Sequence, residues 1–170
     1  MKTLAPERTF LRRDNLLDIG RSRFSQLRQR RSVGFRGFRP WFYAAAIYNL
    51  IWGSITILFP GFFFQVTGMA EPNHPALWQV TGMFVLVYAL GYYWAARKPY
   101  EFRHLILLGT IGKICGPLGF VWSVASGTLP PAFGWTIITN DLVWLPVFIL
   151  FLHRATRAQG GWRKLLEGGR

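Results

Sequence analysis

Apolar residues fall along this chain in four long blocks, 41–59, 76–96, 105–126 and 133–153, rather than alternating with polar ones. A bilayer core about 30 Å thick needs about 20 mostly apolar residues in a helix. At about 1.5 Å of rise per residue the four blocks reach roughly 28 to 33 Å. They predict an all-α protein, an integral membrane four-helix bundle. The punctuation agrees: Pro60-Gly61 ends the first span, Pro72 and Pro75 precede the second, Pro99 follows it, and Pro130-Pro131 precede the fourth. The run Phe62–Val66 is too short to cross a bilayer, so an interfacial position is expected.

Charge gives the spans a direction. Of the 20 Lys and Arg, eleven lie in residues 1–40, three in the 97–104 loop and five in the 154–170 tail. The 60–75 and 127–132 loops hold none. Because Lys and Arg collect on the cytoplasmic side, both termini are expected there, in a bacterial inner (cytoplasmic) membrane. Trp41, Trp78, Trp94, Trp122 and Trp135 fall near span ends, where an indole keeps its ring apolar and its N–H wet.

Composition narrows the class. The chain has 170 residues, is 51% hydrophobic and carries a net charge of +13, which excludes a small soluble enzyme. Residues 1–40 show no apolar core of their own and read as a disordered basic arm that touches anionic lipid. Nucleic-acid binding is disfavoured, since no stacking or groove-reading motif accompanies the charge. Glu7, Asp14 and Asp18 argue against an organelle transit peptide. Cys115 is the only cysteine, so no disulfide framework or paired-thiol relay is available, and it reads as a small packing residue.

Only Lys113 and Asp141 are formally charged inside the four blocks. Each costs roughly 2.5 to 3.5 kcal/mol at a helix centre, so pairing, hydration or function is required. Counted from the cytoplasmic ends of antiparallel spans, their depths differ by about four residues, roughly 6 Å, which a lysine stem covers. An ion pair is therefore expected. Asn49 and Tyr88 lie at similar depth, and Asn140 adjoins Asp141 but points about 100° away on a regular helix. Ala45, Asn49, Gly53 and Thr56 form a small and polar stripe, the expected inward face of the first span.

Span three should be interrupted nearby. Gly112 and Gly116 form a GxxxG pair suited to close helix approach, and Pro117 removes the N–H that would serve the Lys113 carbonyl. A break at Gly116-Pro117 is expected, with half-helix termini facing the polar pair. Pro146 likewise frees the carbonyl of Leu142. The residues 107–114 fail the phosphate-loop pattern, because Leu107 stands where the first glycine belongs and Ile114 follows the lysine.

His104 and His153 fall at the cytoplasmic rim as a possible pair of haem or metal ligands, but no third ligand has suitable spacing, so no metal site is assigned. No Ser-His-Asp set shares a depth, and no catalytic residues are assigned. Gln65–Met69 recurs as Gln79–Met83, both reading QVTGM. Asn49-Leu-Ile-Trp52 and Asp141-Leu-Val-Trp144 also match across oppositely directed spans.

At Tyr48–Gly53, Leu58-Phe-Pro60 and Gly68-Met69 the chain resembles the small four-helix DoxX-like membrane proteins over about residues 41–153. That resemblance implies kinship with a class in which some members are subunits of membrane redox systems that pass electrons to quinone, and transfers no active site. Two functions remain open. One is an accessory or structural subunit among other membrane subunits, with quinone or haem nearby. The other is an autonomous, dimeric carrier or proton/ion pathway using Asp141 and Lys113. A free-standing enzyme ranks behind both.

Overall fold

The computed structural model describes residues 34–166. All of its regular structure is helical: α1 Arg39–Leu58, α2 Phe62–Thr67, α3 Pro75–Arg97, α4 Arg103–Ala125, a one-turn α5 Gly134–Ile137, α6 Leu145–Gln159 and α7 Trp162–Leu166. A 3₁₀ turn, Arg36–Phe38, leads into α1, and a π-helical turn, Ile138–Leu142, joins α5 to α6. Four helical stretches, Arg36–Leu58, Pro75–Arg97, Arg103–Ala125 and Pro131–Gln159, are long and apolar enough to cross a membrane.

Helices α1 and α3 form a tightly packed antiparallel pair. Its centre is a glycine crossing, where a Cβ added to Gly53 would meet the Gly82 carbonyl oxygen at 2.8 Å and the Leu86 amide nitrogen at 2.9 Å. A Cβ on Gly82 would meet Thr56 at 2.8 Å. Side chains clamp both ends of the pair. Arg39 Nε donates to the Ala96 carbonyl at 2.9 Å, and Gln79 Nε2 donates to the Ile57 carbonyl at 2.8 Å. The small and polar stripe Ala45, Asn49, Gly53 and Thr56 is buried, as the inward face of α1 requires.

The QVTGM repeat serves two different purposes. In its first copy Gly68 adopts φ 67° and closes α2, with the Met69 N–H returning to the Phe64 carbonyl at 3.0 Å. In its second copy, within α3, Gln79 supplies the clamp and Gly82 the crossing. The two copies share a helical Gln-Val-Thr whose threonine hydroxyl bonds the carbonyl four residues back, and they part at the glycine.

Aromatic clusters fill the two ends of the bundle. At one end Phe42 meets Phe148 and Phe151 edge-on, with centroids 5.6 and 5.0 Å apart, and Tyr92 meets Phe148 at 5.2 Å. Such pairs add about 0.5–1.5 kcal/mol each beyond their buried area. At the other end α2 turns Phe63 and Phe64 inward against Trp78, while Phe62 and Val66 stay exposed.

Two boundaries differ from the sequence expectation. Residues 36–40 are helical rather than part of a featureless arm, because Phe35 and Phe38 insert into the first aromatic cluster. The arm's remainder, residues 1–33, lies outside the described residues. The segment after 153 is likewise folded: α6 continues to Gln159, Gly160 at φ 81° turns the chain, and α7 buries Leu165 in the same cluster.

Gly53→Ala should lower stability by about 1–3 kcal/mol, because the atoms it meets are backbone and cannot step aside. Gly91→Ala should be neutral or slightly stabilising, since its Cβ would meet only Leu105 Cδ1 at an ordinary 3.8 Å. Thermal unfolding of the two variants in detergent checks the contrast.

Candidate functional site

The polar centre lies where α4 passes the turn between α5 and α6. Lys113 Nζ is 3.6 Å from Asp141 Oδ1, with the two residues only 4% and 6% exposed. The Lys113 ammonium also donates to the backbone carbonyl of Asn140. Asn140 Nδ2 donates to Asp141 Oδ1 at 3.0 Å. The other carboxylate oxygen lies against α4, where a Cβ on Gly116 would stand 2.6 Å from Asp141 Oδ2.

The π-helical turn makes this possible. The Val143 N–H reaches back five residues to the Ile138 carbonyl at 3.1 Å, and the Trp144 N–H reaches back only three, to the Asp141 carbonyl at 3.2 Å. In a regular α-helix those two donors would serve Thr139 and Asn140. Both carbonyls are released, and each finds a side-chain donor: the Trp144 indole N–H bonds Thr139 at 2.9 Å and Lys113 bonds Asn140. Pro146, at the start of α6, has no N–H and demands no acceptor there. The local irregularity thus satisfies every backbone group that it frees at these two positions.

The interruption consequently falls in span four, not span three. Helix α4 runs unbroken through Pro117, so the half-helix termini expected at Gly116-Pro117 do not form. One missing N–H removes one rung of the ladder, and the turns on either side persist. The glycine pair also divides. Gly116 packs on the Asp141 carboxylate, while a Cβ on Gly112 would meet nothing within 4 Å, so the two do not form one close-approach surface. Cys115 is exposed rather than packed, one residue from Gly116 on the outward side of α4.

Asn140 takes part through its backbone as well as its amide, because the π turn leaves its carbonyl without a backbone donor. Asn49 is buried, yet its Oδ1 has no hydrogen-bond partner among the described residues, and the same holds for Thr56 Oγ1 and Asn140 Oδ1. Tyr88 is half-buried and packs on Tyr92, with ring centroids 5.9 Å apart. The aromatic at the site itself is Tyr92, whose ring face lies 5.9 Å from Lys113 Nζ and whose hydroxyl covers Gly109. Sequence reading missed Tyr92 and Trp144. Tyr92 stands one helical turn beyond Tyr88, and Trp144 follows Asp141 by three residues, which are the signals that could have found them.

His104 and His153 are both exposed at the basic end of the bundle. Among the described residues no group of three or more His, Cys, Asp or Glu is arranged to hold a metal ion.

No protein-family model, no curated protein and no solved structure matches this chain.

Two substitutions probe the turn. Trp144→Phe leaves the Thr139 carbonyl without its donor and should cost about 1–3 kcal/mol. Gly116→Ala should cost a similar amount, about 1–3 kcal/mol, by displacing the Asp141 carboxylate, while Gly112→Ala should cost nothing. Equal effects of the two glycine substitutions on the unfolding midpoint would show that Gly116 is not cradling the carboxylate.

Proposed function

We propose that this chain is a multi-pass protein of a bacterial inner membrane, with both termini cytoplasmic, that works as an accessory or structural subunit of a larger membrane complex. The observation that carries the structural half of this reading is the closure of the polar centre. Lys113 and Asp141 are buried, paired and bonded to Asn140, and the carboxylate rests on Gly116. The two charges are answered by each other and by Asn140, an arrangement that holds helices in place.

Membrane insertion is supported by what the bundle leaves uncovered. Only 17–33% of each apolar stretch is buried. Large apolar side chains such as Leu58, Phe84, Val87, Leu118 and Trp122 stand exposed along α1, α3 and α4. A soluble monomer rarely tolerates contiguous apolar surface on this scale, whereas lipid tails or neighbouring spans accept it. Orientation is supported by charge. Among the described residues every Lys and Arg except Lys113 lies at the end where α1 and α4 begin, and the loops at the opposite end carry none.

The carrier reading retains one favourable observation, the buried and unpartnered oxygens of Asn49, Thr56 and Asn140, which are candidates for water. A link to quinone rests on the DoxX-like resemblance alone, and haem ligation by the exposed His104 and His153 has no geometric support beyond their shared end of the bundle.

Gentle extraction of the tagged protein followed by native mass measurement separates the readings. The subunit reading expects stoichiometric partner polypeptides, and an absorbance spectrum of that complex reports any haem or flavin. A bare species at 19.5 kDa, or at twice that mass, would contradict it. The same reading expects proteoliposomes of the purified chain to conduct protons and small cations no faster than empty liposomes.

A further inference from the structure

We propose that the surroundings of Lys113 constitute a binding site for a primary ammonium ion, and that the Lys113 side chain is its tethered occupant. The groups that the structure places around Nζ are ones that answer a positive charge. The Asn140 carbonyl accepts from the ammonium, Asp141 Oδ1 stands 3.6 Å away, and the Tyr92 ring face closes another side at 5.9 Å. Asn140 Oδ1 is a further buried oxygen, without a hydrogen-bond partner among the described residues, on the side chain whose amide bonds the carboxylate.

The chemistry favours an ammonium over a bare metal cation. A hard cation such as sodium or calcium seeks a shell of oxygens on all sides. Here a carbonyl, a carboxylate and an aromatic face converge, the combination that suits N–H donors and a diffuse positive charge. The carbonyl is available only because the π-helical turn withholds its backbone partner, so the site is built into the turn and does not depend on the lysine stem. A short covalent tether gives the resident ammonium a millimolar or higher effective concentration. Free cations therefore fail to displace it, which accords with a closed centre in the wild-type chain. The inference does not require the subunit reading, and holds equally for a carrier.

The test is chemical rescue. Lys113→Ala removes the four atoms that n-propylammonium replaces, and the free amine crosses detergent or lipid as a neutral molecule. The unfolding midpoint of Lys113→Ala should rise saturably with n-propylammonium and should not rise with sodium or tetramethylammonium at equal ionic strength. Lys113→Ala combined with Asp141→Leu should not respond, nor should Lys113→Met, whose side chain fills the stem's path. If Lys113→Ala does not survive extraction, the amine is supplied during expression and the folded yield is read instead. No change in midpoint or yield with the amine would overturn the proposal. A rise of equal size in the double variant, in Lys113→Met or in the wild type would overturn it too.

Discussion

A lysine ammonium withdrawn from water must be met by acceptors, and the way this chain meets that demand shapes the second half of the fold. Lys113 projects from α4, which stays helical through Pro117. The acceptors come from the neighbouring segment, which leaves α-helical geometry for one turn so that the Asn140 carbonyl and the Asp141 carboxylate can both face the ammonium. An irregular backbone in an apolar setting is tolerable only if each freed group finds a partner. The Trp144 indole and the Lys113 ammonium are those partners. Charge and backbone irregularity therefore stabilise each other, and neither is sensible without the other.

The two halves of the bundle solve the packing problem by different means. In α1 and α3 the absence of side chains at Gly53 and Gly82 lets backbones touch, and two side-chain bonds to carbonyls fix the register. Where hydrophobic association between helices is weak, close contact of this kind is the main source of cohesion. Between α4 and the π-helical turn the contact is polar, through the ion pair and the Asn140 carbonyl. Tyr92 joins the two systems: it belongs to α3, covers Gly109 of α4, faces Lys113 and packs on Phe148 of α6.

Much of this was legible in the residues. Four apolar blocks gave four long helices, because a run of about twenty apolar residues has few other ways to fold. Depth counting brought Lys113 opposite Asp141, since rise per residue is nearly constant along a helix. What stayed hidden depended on choices made between helices. Pro117 and Pro146 look alike as helix breakers, yet only the segment before Pro146 departs from α-helical geometry, because there the freed carbonyls have external donors waiting. Gly112 and Gly116 look alike as a packing pair, yet only Gly116 faces Asp141. Tyr88 and Tyr92 share a helix face, yet it is Tyr92 that brings its ring to the lysine, a choice that no spacing reveals. The repeated QVTGM shows the converse: identical letters take their role from the surrounding helix.

The most direct measurement is a double-mutant cycle on the ion pair, with Lys113→Met and Asp141→Leu measured singly and together by reversible unfolding in mixed detergent. If the pair holds the turn, each single substitution strands a buried charge and costs about 3–5 kcal/mol, while the combined substitution recovers most of that loss. Losses that simply add would contradict this, and would mean that Lys113 and Asp141 answer to other partners than each other.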